Sequence, residues 1–177
     1  MRTFVALEIP DNVRSQMYSI GEKIPGRMAL VPKDNMHITL QFLGDIGESQ
    51  VLGAARALDS VSQSSFPVLL RGLSYFGGRS MHTIFAKVFD NARTSLLYNA
   101  VGKALSDCGI GYAAQRDYTP HATIARVKAE APDTTEFISQ NAEHAFGEFI
   151  AQSICLKKSV LSSSGALYAT LHKRELS

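Results

Sequence analysis

No tryptophan occurs among the 177 residues, and only 2 are cysteine and 6 proline. No apolar run approaches the eighteen or so residues that cross a bilayer. Cys108 and Cys155 build neither a disulfide framework nor a metal-ligand spacing, and they read as buried free thiols. Charge of either sign is barely in excess: 18 Lys plus Arg against 16 Asp plus Glu leave +2. That is too little to hold long duplexes by bulk electrostatics. The apolar stretch at the start is cut by Glu8 and Pro10 and lacks the length and small-residue cleavage site of a signal peptide. A composition 45% hydrophobic and 19% charged is neither disordered nor fibrous. The expectation is a soluble, cytoplasmic globular protein of one domain, or of two small lobes sharing a core.

What is present is a mixture of short periodic segments. Arg2 to Glu8 alternates as a strand. Val13, Met17, Ile20 and Ile24 recur at helical spacing from Asp11 to a stop at Pro25-Gly26. Met36 to Leu43 reads as a strand ended by Gly44. Ser49 to Val61 reads as a helix with Val51, Leu52, Ala55 and Leu58 on one face. Phe66–Phe76 and Ser80–Phe89 form a hairpin pattern around Gly77-Gly78. Ala92 to Cys108 is a helix presenting Leu96, Leu97, Ala100, Val101, Ala104 and Leu105, with Gly109 as its stop. A strand runs from about Asp117 to Val127, a short helix covers Thr134 to Asn141, and strands near Phe146–Leu156 and Ala166–His172 follow. Ser162 to Gly165 is turn chemistry. The order, roughly βαβαββ then αβαββ, suggests an α+β fold with antiparallel sheets.

One segment repeats. His37-Ile-Thr-Leu40 recurs as His121-Ala-Thr-Ile124, with the histidines 84 residues apart. The chain has 5 histidines, and chance would give two of them a Thr two places on about 3% of the time, less still with an aliphatic residue after each Thr. In a strand, residues i and i+2 share a face. His37 therefore shares a face with Thr39, and His121 with Thr123, while Ile38, Leu40, Ala122 and Ile124 face the core. His82 has its Thr adjacent, on the opposite face, and reads as structural.

Two such strands side by side would place two imidazoles about a space lined by two hydroxyls. Thr hydroxyls can donate to the non-bridging oxygens of a phosphodiester. In-line displacement at phosphorus sets attacking and leaving oxygens on opposite sides, and one neutral and one protonated histidine suit those two sides. The motif offers no carboxylate partner for a metal, so no metal or cofactor is expected. A core histidine in each strand is the bland alternative, and the functional reading requires the two strands to be neighbours.

Three blocks carry a family resemblance: Arg2-Thr-Phe-Val-Ala-Leu-Glu-Ile-Pro10, His37-Ile-Thr-Leu-Gln-Phe-Leu-Gly44 and Pro120-His-Ala-Thr-Ile-Ala-Arg126. Together they resemble the two-histidine (2H) phosphoesterase superfamily and, within it, the RNA 2′,3′-cyclic phosphodiesterases, also called 2′-5′ RNA ligase-like proteins. The resemblance spans essentially the whole chain. It implies a single bilobed domain over residues 1–177, with two antiparallel sheets and flanking helices in pseudo-two-fold arrangement around a central groove. It also implies that His37, Thr39, His121 and Thr123 are catalytic, with His121 favoured as base and His37 as acid. Arg126 matches the subfamily's arginine after the second motif. Five residues beyond His121 its parity is opposite, so it reaches a phosphate only if the strand ends or bends first; otherwise it is a surface arginine paired to a carboxylate. Tyr118 falls where the family often has an aromatic, either stacking on a base or filling the core or rim. Ala122 departs from the bulkier aliphatic usual there, which concerns packing alone. The implied partners are RNA ends bearing a 2′,3′-cyclic phosphate, or small cyclic nucleotides, with no membrane and no obligatory protein partner. The implied reaction opens the ring to a 2′-phosphate and, reversed, joins ends through a 2′-5′ linkage. A non-catalytic RNA-end binding module and a nucleotide-sugar cyclic phosphodiesterase are the alternatives.

Overall fold

The computed structural model describes residues 1–77, 81–127, 134–162 and 165–177. Strand β1 (Arg2–Glu8) is followed by helix α1 (Asp11–Gly21), the short strand β2 (Met28–Leu30), a 3-10 turn at Lys33–Asn35, strand β3 (His37–Asp45) and helix α2 (Glu48–Asp59). Strands β4 (Phe66–Gly77) and β5 (Met81–Phe89) precede helix α3 (Arg93–Asp107) and strand β6 (His121–Val127). Helix α4 (Thr135–Gln140) and strands β7 (Ala145–Ala151), β8 (Ser153–Ser162) and β9 (Gly165–Glu175) complete the order. Gly78, at the expected hairpin tip, lies outside the described residues, as do Ser163 and Ser164 of the expected turn and the side chain of His82.

The strands pair in the order β7-β4-β5-β6-β3-β1-β8-β9, with β2 on β6, and every pairing among the described residues is antiparallel. The two expected sheets are thus two halves of one path. One half is β7-β4-β5-β6 and the other β3-β1-β8-β9, and they meet at a single register pair, Ile38 with Ala122. We call this junction the seam. The halves correspond by an approximate two-fold: β3 matches β6, β1 matches β5, β8 matches β4 and β9 matches β7. Helix α1 leaves β1 but packs on β6 and β7, and α3 leaves β5 but packs on β3. Each half therefore has its apolar face covered by a helix from the other.

Alternation in the strands and amphipathic periodicity in the helices meet in one core that draws on both halves, including Val5, Leu7, Ile38, Leu70, Ile84 and Ile124. Three local expectations need correction. Leu52 and Leu96 are 65% and 58% exposed. Small residues instead face inward on α2 (Gly53, Ala54, Ala57), where a Cβ on Gly53 would lie 3.0 Å from Ile110, so close packing turns the helix face by one position. Cys108 is exposed at the end of α3, while Cys155 is buried. The run Phe146–Leu156 is two strands parted at Gln152, because β7 pairs with β4 in one half and β8 with β1 in the other.

Candidate active site

The seam puts both repeats on one face. Ile38 pairs with Ala122 in antiparallel register, so one step either side sets His37 opposite Thr123 and Thr39 opposite His121. Ile38, Leu40, Ala122 and Ile124 are buried, whereas His37, Thr39, His121 and Thr123 are half-buried on the opposite, groove-lining face. The imidazoles occupy one diagonal and the hydroxyls the other; in a regular ladder such diagonal positions are roughly 7–8 Å apart.

The same device orients both rings. His37 Nδ1 lies 2.7 Å from the Asn35 carbonyl oxygen and His121 Nδ1 lies 2.8 Å from that of Thr119, two residues upstream in each case. A carbonyl only accepts, so Nδ1 carries the hydrogen in both rings and Nε2 is the atom left for proton transfer. In neutral His37 that Nε2 accepts from the Thr39 hydroxyl at 3.0 Å. Each ring is also walled by aromatics. Phe4 stacks on His37 at 4.9 Å and Tyr168 meets it edge-on at 5.4 Å; Phe76 and Phe85 flank His121 at 4.8 and 5.2 Å.

These walls disfavour the imidazolium. Burial pulls the His37 pKa down to about 4 against the opposing Asn35 carbonyl; the Lys157 ammonium and His121 add to the depression, and Glu8 resists it. Lys157 and Glu8 are themselves an ion pair at 2.6 Å. His121 is lowered by burial first, with the Thr119 carbonyl opposing and the Arg126 guanidinium assisting.

The bend that Arg126 requires is present. Ile84 pairs with Ala125 and Phe85 with Thr123, leaving Ile124 as an extra residue in β6. Ile124 and Ala125 are both buried, so the bulge reverses the alternation and Arg126 emerges exposed, lining the groove. Strand β3 does the same: Val5 pairs with Gln41 and Ala6 with Thr39, leaving Leu40 as the extra residue. Leu40 and Ile124 are again 84 residues apart. The side chain that this second bulge delivers is Phe42, the positional equivalent of Arg126, 42% exposed in the groove. Sequence reasoning missed Phe42, although the same offset from Arg126 points to it.

Tyr118 spans the seam. Its hydroxyl donates to the Thr39 carbonyl at 2.8 Å, and one face of its ring stacks on Tyr98 at 3.9 Å. A base could meet only the remaining face or edge. Among the described residues no group of three or more His, Cys, Asp or Glu side chains is placed to hold a metal ion.

The groove has two chambers that share Thr39, Phe42, Thr123 and Arg126. The His37-side chamber is about 780 Å³ and the His121-side chamber about 340 Å³. A separate cavity between β4, β5 and the start of α3 has Asp90 and Glu148 as its charged lining, the wrong sign for a phosphodiester.

This geometry agrees with what the chain is similar to. A family model described as LigT like Phosphoesterase matches residues 7–85. An Archaeoglobus fulgidus protein named RNA 2′,3′-cyclic phosphodiesterase is 28% identical, covering 97% of this chain and 98% of the relative. One of the same name from Methanocaldococcus jannaschii is 29% identical, covering 97% and 98%. The crystal structure of TT0787 of Thermus thermophilus superposes with a TM-score of 0.83 at 26% identity, covering 99% of this chain and 98% of that one. Escherichia coli LigT in apo form shares the fold, with a TM-score of 0.78 at 20% identity, covering 99% and 96%. The family model, the near full-length relatives, the fold and the paired motifs agree in making the chain similar to LigT-like phosphoesterases.

Proposed function

We infer that the protein hydrolyses 2′,3′-cyclic phosphates at RNA ends to 2′-phosphates by two-histidine acid–base chemistry. The observation that carries this reading is the pair of imidazoles, each locked with Nε2 as its working atom, on one diagonal of a groove whose other diagonal holds two hydroxyls. The relatives' shared name, RNA 2′,3′-cyclic phosphodiesterase, supports the substrate class.

In the proposed step, Nε2 of the base histidine takes a proton from water as the water oxygen bonds to phosphorus. The opposite P–O3′ bond breaks, and Nε2–H of the acid histidine passes its proton to O3′. The product is a 2′-phosphomonoester with a free 3′-hydroxyl. The two rings finish with their protonation exchanged and reset through solvent. Thr39, Thr123 and Arg126 hold the non-bridging oxygens, and Arg126 also compensates their charge. His121 serves as base and His37 as acid. His37 is neutral in the free protein at pH 7, so in this assignment the anionic substrate helps to load its proton. Run backwards, the same step joins a cyclic phosphate to a 5′-hydroxyl. We place the activity in one bilobed domain over residues 1–177, acting in the cytoplasm without an obligatory protein partner. Among the described residues no helix is long and apolar enough to cross a membrane.

The test is hydrolysis of a nucleoside 2′,3′-cyclic phosphate in the presence of a chelator. Turnover should persist there, and His37→Ala or His121→Ala should each lower it by roughly 10²-fold or more. Complete loss in chelator would sink the two-histidine mechanism as written, and binding without turnover would favour an RNA-end binding module.

A further inference from the structure

The larger chamber has more room than a single cyclic phosphate and its sugar need, and its charge is one-sided. Its lining includes two arginines, Arg2 and Arg126, and among the described residues no carboxylate. No ion pair among the described residues engages either guanidinium. Arg126 stands at the centre of the groove, in both chambers. Arg2 lies in the larger chamber alone.

Its position follows from β1. Arg2 shares a face with Phe4, one pleat period or roughly 7 Å further along the strand, and Phe4 stacks directly on His37. The neighbouring strand β8 supplies Ser159 to the same wall. Passing outward from the two imidazoles on the His37 side, a ligand therefore meets the exposed ring of Phe42, then the exposed guanidinium of Arg2. The cross-strand partner of Arg2, Asp45, lies towards the N-terminal ammonium and forms no ion pair with Arg2 among the described residues. An exposed cation that no carboxylate engages, set beside a catalytic groove, is free to bind an anion by charge-assisted hydrogen bonds.

Resting on the phosphodiesterase reading above, we propose that the His37-side chamber is a second-phosphate subsite, in which Arg2 binds a phosphate one nucleotide removed from the reacting phosphorus. The chemistry fits two sources: the internucleotide diester of an RNA end, or the 5′-phosphate of a lone nucleotide. In either case the subsite makes the enzyme read past the ring it opens.

The test compares kcat/KM for three substrates: a nucleoside 2′,3′-cyclic phosphate, the same compound carrying a 5′-phosphate, and a dinucleotide ending in the cyclic phosphate. The dinucleotide should exceed the plain nucleoside by about tenfold or more, and Arg2→Gln should bring that ratio close to one while Arg2→Lys keeps much of it. An equal gain for the 5′-phosphorylated nucleotide assigns the subsite to a terminal phosphate; a gain confined to the dinucleotide assigns it to the diester. Equal kcat/KM for all three, or a dinucleotide advantage that survives Arg2→Gln, overturns the proposal. Turnover of none of them overturns the phosphodiesterase reading, and the subsite with it.

Discussion

Protonating His37 places a charge between the rings of Phe4 and Tyr168 and beside the Lys157 ammonium. That environment gives the reaction its expected pH dependence. The proposed two-histidine step needs one ring neutral and the other protonated in the free protein. The pKa of His37 is held near 4 and that of His121 below its ordinary 6.5, so both rings are neutral above pH 6.5 and the acid is missing. We expect log kcat/KM to fall by about one unit per pH unit above 6.5 and to decline again below about 4, where both rings carry protons; the two limbs report the pair rather than either ring alone. A profile flat from pH 5 to 8 would remove histidine as the proton donor. Much of the site at this scale was legible in advance. His-x-Thr at a fixed offset, read with strand parity, identifies four side chains and their common face. The carbonyls of Asn35 and Thr119 that choose the tautomer were not legible, because any residue supplies a carbonyl.

Bulges account for what the elements concealed. A bulge reverses which side chains face the groove without needing a signature residue, and Leu40 and Ile124 look like ordinary strand aliphatics. Only the pairing of β3 with β1 and of β6 with β5 reveals that Phe42 and Arg126 point inward. Strand β2 is three residues long, too short for any periodicity, and the break at Gln152 has neither Gly nor Pro to mark it. Strand β6 begins at His121 rather than Asp117, the intervening residues being held by the Tyr118 bond to Thr39. In contrast, the glycine-dependent bulge in β4 invites a direct test. Gly72 has φ +78°, and a Cβ there would collide with the Ala142 carbonyl oxygen and the Lys87 side chain. Gly72→Ala should therefore cost about 2 kcal/mol or more of stability, measured as a lowered urea midpoint. An unchanged midpoint would mean that the β4 bulge relaxes freely.

For the whole molecule, the depressed histidine links activity to stability. Above pH 6.5 His37 is neutral both folded and unfolded and contributes no pH dependence. As pH falls from 6.5 towards 4 the unfolded chain takes up a proton that the folded one refuses, so stability is lost, by up to about 3 kcal/mol from this group. Urea unfolding at pH 7 and pH 4.5 should show a smaller decline for His37→Asn than for the parent chain. Equal declines would mean that His37 titrates normally in the folded state. The two-lobed arrangement carries a geometric corollary. The imidazoles ride on opposite halves whose strands share a single register pair, so any swivel about that rung would alter the gap between them. Helices α1 and α3 oppose such a swivel, each clasping the half it did not come from, and neither can lift away without baring an oily surface. The catalytic span is thus a property of the interlock, and a change in the girth of either helix would retune it without altering any residue that meets the substrate.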